Sequence, residues 1–109
     1  MIEILLTNKI SEKIQNLEKA NNSDDIKLLR SIVAAAESIK RGDIGKEIKL
    51  IKTDNIFVFR LSGDYRLFYT TETKGNEKFI LLLDFIKKSS LKSTYYKELK
   101  EVIDGKEHF

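Results

Sequence analysis

The chain has 109 residues, 41% of them apolar and 34% charged, and a net charge of +3. These values fit one globular domain over residues 1–109, too small for a second core and too apolar for a disordered chain. No cysteine is present, which excludes disulfides, thiol nucleophiles, iron–sulfur clusters and cysteine-based zinc sites and suits a reducing, cytoplasmic setting. The apolar run Ile4-Leu5-Leu6 is too short for a signal peptide or a membrane span, so a soluble protein is expected.

Residues 2–6 read as a short strand, and Thr7-Asn8 as a helix-start signal. Ile10, Ile14 and Leu17 recur at helical spacing and predict an amphipathic helix over residues 8–20. Asn21-Asn22 breaks it, and Ser23 is the expected N-cap of a second helix, with Asp24 and Asp25 complementing its positive dipole end. In that helix Ile26, Leu29, Val33, Ala36 and Ile39 follow the three-four pattern, and Lys40-Arg41-Gly42 closes it.

Beyond Gly45 the period changes. Glu47 to Lys52 predicts a weak or edge strand, Ile56 to Leu61 and Tyr65 to Thr71 two more, and Phe79 to Ile86 a strand apolar enough for burial on both faces. A last helix is expected over residues 93–104, with Ser93 or Thr94 at its cap and Leu99, Val102 and Ile103 on its apolar side. The predicted order is β-α-α-β-β-β-β-α, an α+β domain with a helical hairpin packed on an antiparallel sheet and a C-terminal helix. The modest stripe of the last helix predicts apolar sheet surface left uncovered, open to a segment that folds as it binds.

Ser62-Gly63-Asp64-Tyr65 predicts a two-residue hairpin in which Gly63 takes a positive φ. That loop pairs Leu61 with Arg66. Arg66 then shares a face with Phe57, Phe59, Leu61 and Phe68, and Arg60 lies on the other with Ile56, Val58, Leu67 and Tyr69. A bulge would change this register.

Charge is balanced over residues 1–30 but not near the C-terminus. From Ile86 to Lys97 the chain carries Lys87, Lys88, Lys92 and Lys97, with Tyr95 and Tyr96 and no acidic residue. Basic side chains interleaved with aromatics suit phosphate contact and base stacking, or else a solvated loop and helix start. No P-loop, GxGxxG, HExxH or nucleophile elbow occurs.

The strand–hairpin–strand order, with Arg60-Leu61-Ser62-Gly63-Asp64-Tyr65-Arg66-Leu67-Phe68-Tyr69, resembles the RelE/ParE superfamily of type II toxins. Asp84-Phe85-Ile86-Lys87-Lys88-Ser89-Ser90 with Lys92 is similar to the basic close of its HigB-like branch. The resemblance implies a cytoplasmic toxin neutralised by a cognate antitoxin, touching DNA only through that antitoxin complex. RelE- and HigB-type toxins cut mRNA on the ribosome without metal or cofactor; ParE types inhibit gyrase by binding. A non-catalytic member that binds only its antitoxin is a third reading.

Carried over residue by residue, the resemblance gives Arg66 the role of transition-state stabiliser, since a guanidinium holds two phosphate oxygens and keeps its proton. Lys87 and Lys88 are the following basic pair, with Lys88 preferred for charge stabilisation, and Tyr95 or Tyr96 is a stacking or proton-transfer residue. Lys49, Lys52, Arg60 and Lys92 are candidate RNA-positioning residues. Against these stand plainer readings: Arg66 paired with Asp64 or Asp84, Arg60 in a surface ion pair or antitoxin contact, and one of the adjacent tyrosines packed. Tyr65 and Tyr69 read as sheet-packing residues. Asp84 reads as a buried partner for an unspecified lysine.

Overall fold

A computed structural model describes residues 2–20, 22–42, 47–51, 56–92 and 94–104. Strand β1 (Ile2–Leu6) leads into helices α1 (Asn8–Ala20) and α2 (Ser23–Arg41). Strands β2 (Glu47–Ile51), β3 (Ile56–Arg60), β4 (Tyr65–Lys74) and β5 (Glu77–Lys87) follow, then one 3-10 turn (Lys88–Ser90) and helix α3 (Tyr95–Asp104). The order matches the one predicted. The five strands lie side by side as β1-β5-β4-β3-β2. Residues 47–87 form the expected antiparallel meander, while β1 runs parallel to β5, from Ile2 opposite Lys78 to Leu6 opposite Leu82. The sheet is therefore mixed.

The helical hairpin covers one face. Ile10, Leu28, Ile32, Ala35 and Ile39 pack there on Phe59, Leu61, Leu67, Tyr69, Ile80, Leu82 and Phe85. The buried stripe of α2 is thus Leu28, Ile32, Ala35 and Ile39: Ile39 was predicted, the other three each precede a predicted residue by one, and Val33 stands 52% exposed. Both stripes are apolar because Leu28-Leu29, Ile32-Val33 and Ala35-Ala36 are adjacent pairs, and the fit to the sheet decides between them. Asn22, not Ser23, caps α2: its Oδ1 accepts the Asp25 N–H at 2.9 Å, and its amide donates to the Asp25 carboxylate at 2.8 Å. Gly42 closes the helix at φ 78°, as expected.

The other face is sealed by α3, contrary to the prediction of uncovered sheet. Ile56, Phe68, Leu81 and Leu83 are buried under Tyr95 and Leu99, with Val58, Ile86, Leu91, Tyr96, Val102 and Ile103 around them. The aliphatic stripe alone is modest. The two tyrosines complete it, Tyr95 meeting the Phe68 ring edge-on at 5.1 Å and Tyr96 at 6.5 Å. Among the described residues, only Leu6 and Val33 are exposed large apolar side chains.

The Gly63-Asp64 turn forms with φ of 63° and 65°, but the strands above it do not take the predicted register. The Tyr65 N–H donates to the Ser62 carbonyl at 3.4 Å, while the Tyr65 carbonyl accepts from Leu61 N–H at 3.0 Å. Leu61 and Ser62 thus both oppose Tyr65, a bulge. The Ser62 N–H it displaces donates to Ser31 Oγ of α2 at 2.8 Å. The extra residue sets Arg60 directly opposite Arg66 and Phe59 opposite Leu67. A shift of one residue exchanges the faces, so Arg66 shares the α3 face with Arg60, Val58 and Phe68. A second shift lies between Phe68, opposite Asp84, and Tyr69, opposite Leu82. It re-aims Asp84 within β5.

Candidate anion-binding site

The first turn of β4 brings the two arginines together. In an antiparallel pair, directly opposed Cα atoms lie roughly 5 Å apart with their side chains on one face, so Arg60 and Arg66 form a like-charged pair. The Arg66 guanidinium folds back over the turn, its Nη1 donating to the Tyr65 carbonyl at 3.1 Å and standing 3.8 Å from Asp64 Oδ1. The Asp64 side chain is 59% exposed, so this ion pair is weak and readily exchanged for another anion. Among the described residues, Arg60 has no acidic partner. Arg60 and Arg66 thus share one face of the sheet.

The basic segment after β5 meets the same turn. The Lys88 N–H donates to the Asp64 carbonyl at 2.9 Å, and the Leu91 N–H closes the 3-10 turn on the Lys88 carbonyl at 3.1 Å. Lys88 and Lys92 are exposed, and among the described residues neither forms an ion pair. Lys87 stands apart. It pairs in register with Tyr65, its Nζ lies 5.8 Å from that ring, and it lines a cleft of about 470 Å³ on the hairpin side with Asn22, Asp25, Lys27, Ser62 and Tyr65. The sheet therefore separates Lys87 from the arginine face. Lys49 stands opposite Phe57 in the β2–β3 register, and Lys52 lies outside the described residues.

The two tyrosines divide their roles. Tyr95 is 6% exposed, and its hydroxyl donates to Asp84 Oδ2 at 2.7 Å. Burial raises its pKa well above the ordinary value, and the hydrogen bond to Asp84 raises it further. This phenol packs α3 onto the sheet. Tyr96 is half-buried at the rim of the same cluster. Tyr69 is buried and Tyr65 half-buried, both packing on the sheet as expected.

Asp84 is wholly buried, and its partners are not the arginines. Lys13 Nζ stands 2.7 Å from Oδ1 and Lys9 Nζ 3.4 Å from Oδ2, while the Phe85 N–H donates to Oδ1 at 2.8 Å. Lys13 also donates to the Phe85 carbonyl at 2.8 Å. Lys9 and Lys13 were not singled out from the sequence. Their four-residue spacing on one side of α1 was the available signal. Ser31, which holds the bulge, carried none.

No family model matches the chain, and no curated protein is similar enough in sequence to match. Solved structures do match. A YoeB/ParE toxin from Agrobacterium tumefaciens superposes with a TM-score of 0.63 at 14% identity, covering 76% of this chain and 94% of that one. The YoeB dimer from Staphylococcus aureus gives 0.55 at 22% identity, covering 73% and 91%. The chain therefore has the fold of these YoeB/ParE toxin structures. No helix among the described residues is long and apolar enough to cross a membrane.

Proposed function

We propose that the chain is the toxin of a type II toxin–antitoxin pair and that its arginine face binds the RNA backbone and cleaves mRNA on the ribosome. The observation that carries this reading is the register placing Arg60 opposite Arg66 on one face, at the turn to which Lys88 is bonded. Opposed guanidinium groups repel, and a phosphodiester between them relieves that repulsion with bidentate hydrogen bonds. Attack of a ribose 2′-oxygen on phosphorus yields a phosphorane with added negative charge. Arg66 and Lys88 stabilise that charge, leaving a 2′,3′-cyclic phosphate and a 5′-hydroxyl. Arg60 and Lys92 position the strand, and Tyr96 stacks on a base or passes a proton. The ribosome aligns the substrate, which compensates for a sparse set of protein groups.

One observation favours a second reading. Tyr95 is tied to Asp84, which leaves the arginine face poor in groups able to move protons, as a ParE-like gyrase inhibitor acting by binding alone would be. Amino-acid incorporation and DNA synthesis, followed in a bacterial host for minutes after this chain is induced alone, separate the two. The expected result is a prompt fall in translation with DNA synthesis intact, abolished by Arg66→Ala and strongly reduced by Arg60→Ala. Early DNA damage with translation continuing would establish the gyrase reading. An antitoxin that binds both variants as tightly as it does the wild type would place its contact away from the arginines.

A further inference from the structure

Asp84 draws partners from both sides of the sheet. Pairing between β1 and β5 ends at Leu6 opposite Leu82, and the bulge just beyond turns Asp84 toward that edge. Lys9 and Lys13 reach it from α1, on the hairpin side, and Tyr95 reaches it from α3, on the other. Thr7 Oγ1, donating to the Leu83 carbonyl at 2.7 Å, fastens the start of α1 beside it. A buried charge cluster of this kind adds little stability over an apolar filling of the same volume; its use is to fix geometry. What it fixes here is the first residue of α3.

Seven positions earlier the chain is fixed again, by the Lys88 N–H on the Asp64 carbonyl. Between these two points the Leu91 N–H donates to the Lys88 carbonyl and the Tyr95 N–H to the Lys92 carbonyl at 3.0 Å. The segment bearing Lys88 and Lys92 is thus held at one end by the turn below Arg66 and at the other by Asp84. We propose that Asp84 is a positioning residue that, through Tyr95, keeps Lys88 and Lys92 beside the Arg60–Arg66 face so that all four cations engage one RNA strand, a role that rests on the RNA-binding reading above.

Tyr95→Phe is the informative variant, because Asp84 keeps both lysines and the Phe85 N–H and the chain keeps its fold. Ile10→Val, in the core beneath the hairpin, is the control for a general loss of stability. The probes are amide hydrogen exchange and binding of a single-stranded oligouridylate over a range of salt. In Tyr95→Phe, exchange at Leu91 and Tyr95 is expected to quicken by roughly tenfold or more, as for a lost hydrogen bond to a charged group. Affinity falls several-fold, and the salt dependence becomes shallower by about one to two phosphate contacts. Ile10→Val changes neither the local exchange nor the salt slope.

Wild-type binding with an unaltered salt slope in Tyr95→Phe overturns the positioning role and leaves the RNA-binding reading standing. Should Tyr95→Phe unfold, Lys9→Ala serves in its place with the same two readouts, since Lys9 is the more distant of the two lysines. Wild-type protein that binds no oligouridylate overturns the RNA-binding reading, and this proposal falls with it.

Discussion

On the hairpin side of the sheet, 13- and 19-residue helices bury a continuous aliphatic and aromatic layer, with polar contacts at its margins. On the other side a 10-residue helix closes a smaller layer, and it does so with two tyrosines, one of them bonded to a buried carboxylate. The first side is filled by volume and the second is fixed by direction. Stability and placement are thereby assigned to opposite faces of one sheet. The arginines emerge on the face where placement matters.

Substitutions can break that contrast. Leu67, wholly buried on β4 beneath the hairpin, is expected on conversion to Ala to cost about 2–5 kcal/mol in urea unfolding, while the folded fraction binds oligouridylate as the wild type does. A change in the affinity of that folded fraction would show that the two faces are coupled. Next in size is alkaline sensitivity on the α3 face. The pKa of Tyr95 is raised by folding, so its contribution is fully present below the unfolded-state value near 10 and declines as pH rises beyond it. Urea midpoints measured from pH 8 to 11 should fall more steeply for the wild type than for Tyr95→Phe. Parallel curves would remove Tyr95 from that role. The smallest effect is expected at the arginine face, where Arg66→Ala changes stability by at most about 1 kcal/mol, since its partner Asp64 is largely exposed. A larger loss would give Arg66 a structural duty in the turn.

The order of elements was legible because periodicity reports which local structure a segment adopts, and α1, the meander strands and the Leu99 face of α3 follow it closely. Register was not legible. The turn residues Gly63 and Asp64 predicted the turn itself, yet the bulge beside it depends on a hydroxyl from Ser31, 31 residues away. The stripe of α2 was ambiguous for a related reason, since apolar residues stand in adjacent pairs and only the sheet selects one of each. Of the site, Arg66, Arg60 and Lys88 were identifiable by residue type, and their grouping followed only from the corrected register. Lys87 was grouped with them by the family resemblance, but alternation along β5 puts it on the other side. Tyr95 and Tyr96 were read as alternatives because neighbours on a helix diverge. Which of them packs was decided by Asp84, whose lysines come from the first helix of the chain.

The parallel partnership of β1 with β5 also bears on how the molecule forms. Thr7 finds the Leu83 carbonyl across 76 positions of sequence, so the first strand has no partner in the sheet until nearly the last has been made. Loop closure over that span is slow compared with the hairpins of the meander, which join neighbours in sequence. This closure therefore adds the most non-local pairing of the sheet to the folding of the chain, and during synthesis the opening strand has no sheet partner until β5 has been made.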